Sequence, residues 1–477
     1  MGIPIRQTGR FNPRQLWTSN ADRKMSASHA KRLNVNTWGL LKIALPISIG
    51  TFVQFLVLLT DNFFLSRVSE SAINGAGNAG LIYLTFGMVI FGSATGIQIL
   101  VARRHGEEND ALQIRTGRMG WIIHTVIALT LCASVFLLNT GFLGGFISSE
   151  AVRNVFEPFL NIRTWGFLPF GVTCAITAYW TGLARTNLLL AVSLTIAITN
   201  LILDYAWIEG NLGCDAMGHL GAARASLTAE ICGFTVAVML MLKVEPRFFK
   251  LPKRPDGEVI KAWWAISGPL MGQLLLTVGT WTSFFFFVEK VGSTELKISH
   301  IARNAFMLSY VVASGISQTT RTVVSQLIGA SRTADLTPAL KRLATINIVG
   351  VIIMSHGFIL YPDAISQIFF DDPESIASMS RTFTTLFIAV IGFSISSLLL
   401  ATLEGSGGTK RAFLVEMIGA GTYLAAVFYL TSPMNDSMSG EAQYYPIEFI
   451  WRVEWVYFSL IGLGSFLMLR NGKWRHG

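Results

Sequence analysis

Residues 38–65 read WGLLKIALPISIGTFVQFLVLLTDNFFL, and this stretch decides the fold. Between Lys42 and Asp61 no side chain carries a charge. Wound as a helix at about 1.5 Å per residue, such a run crosses the roughly 30 Å hydrocarbon core of a bilayer. One proline, Pro46, interrupts it, and one acid, Asp61, lies deep in it. Lipid offers backbone groups no hydrogen-bond partner, so a segment of this kind must pair its own N–H and C=O groups as a helix.

Comparable stretches recur along the 477 residues. They predict helices at 38–65, 76–102, 117–140, 158–183, 187–210, 219–243, 261–288, 300–328, 341–363, 381–404, 411–432 and 446–470. Composition agrees: 52% of residues are hydrophobic and 14% charged, against about 25% charged in soluble proteins. The short alternating segments of a membrane barrel are absent. The expected fold class is an all-α integral membrane protein with twelve transmembrane helices.

The net charge of +9 would suggest nucleic acid as a partner in a soluble chain. Here the cations sort by loop instead. Roughly 26 Lys and Arg fall in the N-terminal tail, the even-numbered loops and the C-terminal tail, and about 5 in the odd-numbered loops. Positive charge stays in the cytoplasm during insertion, so both termini are expected inside, in a multi-pass cell inner (plasma) membrane protein with no nucleic-acid partner. The chain then divides into a basic cytoplasmic tail at 1–37, a six-helix lobe at 38–243, a cytoplasmic linker at 244–260, a second lobe at 261–470 and a short tail at 471–477. The loop at Asn435 is expected outside. The first tail lacks the apolar core of a signal peptide, and either Met1 or Met25 could start translation. Cys132, Cys174, Cys214 and Cys232 show no metal or redox spacing, so no disulfide, metal or cofactor is expected.

The halves repeat at one offset of 223 residues: Pro46 matches Pro269, Gly92 matches Gly315, and Gly106 matches Gly329. Thr181-Gly182 likewise matches Glu404-Gly405. With six helices each, both halves start inside. They are expected to form two lobes related by pseudo-two-fold symmetry along the membrane normal. Transporters built this way bind substrate between the repeats and rock one against the other, and a monomer suffices.

Several motifs resemble one family. Ala44-Leu45-Pro46 followed by Leu58-Leu59-Thr60-Asp61-Asn62-Phe63-Phe64-Leu65 is similar to the opening helix of multidrug and toxic compound extrusion (MATE) transporters. Gly96 to Gly106 resembles the exit of their second helix, Asn200-Leu201-Ile202-Leu203-Asp204 their fifth, and Gly221 to Ser226 their sixth. The resemblance runs from about residue 38 to 470, and its strength lies in order, spacing and duplication. It implies an antiporter. In the DinF-like branch, a matching Asp, Asn and Asp constellation in the first half is implicated in ion coupling. That role is thereby implied for Asp61, Asn200 and Asp204, and more weakly for Ser226.

The residues support this reading on their own. A charged side chain near a bilayer centre costs roughly 2.5–3.5 kcal/mol on insertion scales and is usually functional. The bland alternative for Asp61 is a hydrated acid near an interface. Asn200 and Asp204 are one helical turn apart and share a face; the alternative for Asp204 is an interfacial acid closing its helix. Two close carboxylates do not both ionise cheaply, which suits a shared proton. With Asn200 and Ser226 they also supply the oxygens a hard cation such as Na+ prefers. Pro46 removes a helix hydrogen bond and makes a cheap hinge.

The second half departs from this pattern. At the equivalent positions stand Phe284, Tyr423 and Val427, and the seventh and tenth helices hold no acid until Glu289 and Glu404 at their ends. NorM-like relatives carry coupling acids in those two helices, so the resemblance favours the DinF-like branch and confines coupling to the first half. Gln273, Arg321, Glu230 and Glu454 are candidate cavity residues. Glu448, Arg452 and Glu454 are expected to form an internal ion pair. Arg224 and Arg321 could line the cavity or snorkel to the headgroups. Phe284–Phe287 reads as packing, and His124 and His356 as satisfied core groups.

The expected function is therefore export of amphipathic, cationic small molecules in exchange for inward H+ or Na+. The runner-up within transport is a flippase or exporter of a lipid-linked saccharide, which would favour a cationic cavity. A membrane enzyme would need a reactive constellation, and none is found in the sequence.

Overall fold

A computed structural model describes residues 33–139, 141–433 and 443–476. The expectations for residues 1–32, including the choice between Met1 and Met25, and for the loop at Asn435 lie outside the described residues. The first half contains α1 (Thr37–Val68), α2 (Glu70–Gly106), α3 (Asp110–Asn139), α4 (Glu150–Thr164), α5 (Phe167–Gly182), α6 (Asn187–Trp207) and α7 (Gly218–Val244). The second contains α8 (Gly257–Glu289), α9 (Ser293–Gly329), α10 (Leu336–Ser355), α11 (Gly357–Leu360), α12 (Pro362–Ser366), α13 (Pro373–Gly405), α14 (Thr409–Leu430), α15 (Ile447–Ile450) and α16 (Val453–Arg470).

Among the described residues, ten helices are long and apolar enough to cross a membrane. Two further crossings complete the expected twelve. One is α4 with α5, broken at Trp165 and Gly166 where the sequence had suggested one helix. Pro169 explains the break: it has no N–H to give the carbonyl four residues back, and its ring would strike that carbonyl. The other is α9, whose Ser, Thr and Gln residues face protein rather than lipid; Ser299, Ser309, Ser317, Thr319, Thr320, Thr322, Ser325 and Gln326 are all buried.

Helix ends obey local chemistry. The Asn36 side chain accepts from the Gly39 N–H at 2.7 Å and starts α1. Ser69 alone separates α1 from α2 and caps the latter through the Ala72 N–H at 3.0 Å. Such caps contribute about 1 kcal/mol each.

The repeat is visible in the architecture. Glu70 and Gly106 bound α2, and Ser293 and Gly329, each 223 positions later, bound α9. The α1–α6 contact is mirrored by α8–α14, and α1 against α9 by α8 against α2. One apolar core surrounds Ile90, Phe167 and Trp180 and takes in the first part of α8, including Trp263 and Leu270; a second, around Phe284, Phe383 and Trp451, lies within the second half. A third cluster, including Leu40, Ile316 and Leu343, ties α1 to α9 and α10.

Small residues set the distance between lobes. A Cβ on Gly92 would overlap the Met271 backbone, and one on Gly315 would overlap Ser48, a pair that obeys the same offset. Gly106 abuts the Gln326 carbonyl, and Gly329 abuts that of Arg103. At this end the lobes are also bolted by polar groups. Gln98 donates to the Gln318 carbonyl and to Thr322 Oγ1, both at 2.9 Å. Thr322 donates to the Thr181 carbonyl at 3.0 Å, and Gln326 to that of Gly182 at 2.7 Å. The lobes are thus closed together where α2, α5 and α9 end.

Candidate functional site

Helix α6 packs between α1 and α7, and all four residues singled out for the first lobe meet there. Asn200 and Asp204, one turn apart on α6, are completely buried. Asp61 on α1 and Ser226 on α7 are half-buried. With its amide nitrogen turned toward the acids, Asn200 donates to Asp61 Oδ1 at 3.0 Å and to Asp204 Oδ2 at 3.3 Å. Ser226 Oγ donates to Asp61 Oδ2 at 3.3 Å. The carboxyls of Asp61 and Asp204 thus share one amide donor. One carboxamide and one hydroxyl therefore hold two acids from different helices in a single cluster.

The depth differs from the sequence reading. Asp61 lies seven residues before the end of α1 at Val68, and Asp204 three before the end of α6 at Trp207. The cluster sits toward one end of the bundle, opposite the end closed by Gln98 and Gln326, rather than mid-helix. At the rim, Arg67 and Glu209 pair at 3.2 Å and join the same two helices.

A second cluster in this lobe was not legible. Arg163 on α4 donates to Glu230 on α7 at 2.9 Å, Tyr83 on α2 donates to the other Glu230 oxygen at 3.0 Å, and the Arg163 guanidinium lies 4.3 Å from the Tyr83 ring centre. Arg163 is also an electrostatic neighbour of Asp61. An arginine in an apolar span is the signal that could have found it, though not its partners.

Of the remaining candidates, Gln273 donates to Glu404 at 2.9 Å and Arg321 pairs with the other Glu404 oxygen, so three helices of the second lobe meet on one buried acid. Glu404 does end its helix as expected, but it is almost wholly buried. Glu454 accepts from Tyr423 at 2.8 Å. The expected ion pair among Glu448, Arg452 and Glu454 is not formed: Glu448 pairs with Arg381, and Arg452 lies over the Phe449 and Trp455 rings. Glu454 and Glu448 are both buried but on different partners, while Arg452 is exposed. Glu416 on α14, unremarked in the sequence, is buried and accepts from Thr277 at 2.7 Å and from Tyr457. Arg224 is exposed, with Met217 Sδ 3.1 Å from its Nη1. Pro46 lies inside an unbroken α1, and Pro269 inside an unbroken α8.

The MatE sequence profile matches residues 46–206 and again 269–429, two copies at the same offset of 223 and together more than half the chain. The chain belongs to the MatE family. Members of this family are multidrug efflux transporters of the membrane, not enzymes. Among curated relatives, a probable multidrug resistance protein NorM of Pseudomonas putida is 24% identical over 398 residues, covering 80% of this chain and 84% of that protein. One of Thermotoga maritima with the same name is 24% identical over 406 residues, covering 80% and 83%. A solved outward-facing multidrug resistance MATE transporter of the MOP superfamily superposes with a TM-score of 0.83 at 14% identity, covering 93% of this chain and 98% of that one. A MOP superfamily transporter from Pyrococcus furiosus, whose structure is described as having a binding pocket of reversed polarity, gives 0.81 at 14% identity, covering 94% and 98%. The MATE fold accordingly extends over nearly the whole chain.

Proposed function

We propose that this MatE protein is a secondary active antiporter in which inward H+ or Na+ drives export of amphipathic, cationic small molecules. The observation that carries the proposal is the cluster of Asp61, Asn200, Asp204 and Ser226. Two carboxyls gathered on one amide donor favour a proton shared between them or a cation beside them. Asn200 is positioned to notice which is present, because its amide donates to both acids. Loading the ion removes repulsion between α1 and α6 and lets the two helices close. Losing it separates them, with Pro46 as the hinge on α1. The ion must bind one access state better than the other for any of this to move the lobes.

In this reading the lobes are residues 38–243 and 261–470, joined by the linker 244–260, and a monomer in the inner membrane with both termini in the cytoplasm suffices. The end closed by Gln98 and Gln326 is then the cytoplasmic gate, and the acids load from outside. The location of the acid pair in the first lobe supports reading the chain as DinF-like rather than NorM-like. No protein cofactor takes part, and Na+ would sit among Asp61, Asn200 and Asp204.

The test is substrate efflux from vesicles reconstituted with the purified protein, driven first by a pH gradient alone and then by a sodium gradient alone. Transport under one of the two supports the reading and names the ion. Transport under neither contradicts it.

A further inference from the structure

Helix α3 carries Arg115 and Arg118 one turn apart, and from Met119 to the end of the helix at Asn139 no Lys, Arg, Asp or Glu follows. Arg118 therefore marks the level where the apolar part of α3 begins, and Trp121 lies just below it, as interfacial tryptophans do. The connection between α7 and α8 is strapped over this point. Arg118 Nε donates to the Arg247 carbonyl at 2.7 Å, Trp121 Nε1 donates to the Phe248 carbonyl at 3.1 Å, and the Phe248 ring is buried against Tyr179. Asp256 closes the strap: it accepts from Arg115 at 2.7 Å and caps α8 through the Val259 N–H at 3.3 Å.

Between strap and helix lies a pocket of about 330 Å³ lined by Arg115, Arg118, Arg254, Met119, Pro252 and Pro255, with Asp256 at its edge. Three guanidiniums thus face one carboxylate, which already serves Arg115 and the helix cap. Arg247 is spent on Glu245 at 2.7 Å. Arg254 is exposed and makes no ion pair among the described residues. Pro252 and Pro255 each fix their own φ and so limit the backbone freedom of the strap on either side of Arg254. Leu251, next in sequence to the pocket's Pro252, is 69% exposed, and Trp264, about two turns along α8 from the pocket's Gly257, is 62% exposed. Exposed apolar groups flanking a basic pocket at the end of an apolar span suit a ligand with an anionic head and a hydrocarbon tail.

We propose that this pocket binds the phosphate of an anionic glycerophospholipid, with Arg118 and Arg254 as its ligands and the acyl chains lying past Leu251 and Trp264. Guanidinium forks match phosphate oxygens in pairs, and basic pockets between helices on the face assigned to the cytoplasm recognise such headgroups. The site lies outside the acid cluster and rests on the proposed function only in taking this face as cytoplasmic.

The test is native mass spectrometry of the delipidated full-length protein given equal amounts of phosphatidylglycerol and phosphatidylcholine, with inorganic phosphate as a separate arm. The expected result is one phosphatidylglycerol retained in preference to phosphatidylcholine. Each of Arg118→Gln and Arg254→Gln should lower that preference about fivefold, corresponding to roughly 1 kcal/mol per cation at a membrane surface. Arg254 touches nothing that holds the fold, so its variant reports on binding even if Arg118→Gln misfolds. Equal retention of the two lipids, or an unchanged preference in Arg254→Gln, would overturn the proposal. Displacement of the lipid by millimolar phosphate would overturn it too, by making the site one for soluble anions.

Discussion

Asp61 on α1 and Asp204 on α6 meet through a single carboxamide, that of Asn200, which donates to one at 3.0 Å and to the other at 3.3 Å. Asn200 and Asp204 lie on the same helix, so the bond to Asp61 is the one by which this group joins α6 to α1. Asn200→Ala leaves both carboxyls without their common donor, and hydrogen bonds to charged groups contribute about 1.5–3 kcal/mol. The protein should still insert and purify, with gradient-driven transport reduced about tenfold or more. Efflux assays at matched membrane levels check this.

Glu404 gives a different expectation. It stands at the end of α13, outside the coupling site suggested by the sequence, yet it is buried and holds both Gln273 and Arg321. Glu404→Gln removes the charge opposite Arg321 and should destabilise the second lobe by about 3–5 kcal/mol. A lowered thermal unfolding midpoint in detergent is the expected result. An unchanged midpoint would show that the Arg321 pair contributes nothing to the fold.

The closed gate makes a prediction about access. Gly106 and Gly329 let the ends of α2 and α9 touch, and a Cβ at either position would overlap backbone of the opposite lobe. Gly329→Val should hold the gate open. A cysteine introduced at Thr181 should then react faster with a membrane-impermeant thiol reagent applied to inside-out vesicles. Gln98→Ala, which loses two bonds across the gate at 2.9 Å, should act in the same direction but more weakly.

Much of this was written in the chain. Twelve crossings, the duplication at 223 residues and the membership of Asp61, Asn200, Asp204 and Ser226 in one cluster were legible, because polar residues in apolar helices stand out and a repeat carries its own register. What was hidden depended on which helices touch. Arg163 and Tyr83 find Glu230 only through the packing of α2, α4 and α7. Glu454 looked like the partner of Arg452 two residues away, but the turn between α15 and α16 sends them to opposite sides. Glu416 carried no pattern at all, since its partners Thr277 and Tyr457 are distant in sequence.

The central claim is that coupling resides in the acid pair of the first lobe. Asp61→Asn keeps the shape of the side chain and removes its charge and its titration. The decisive measurement is gradient-driven substrate efflux by this variant in reconstituted vesicles, beside the unmodified protein at equal density. The account predicts a folded, inserted protein whose efflux no longer responds to the ion gradient. Efflux at the unmodified rate would place the coupling site elsewhere in the chain.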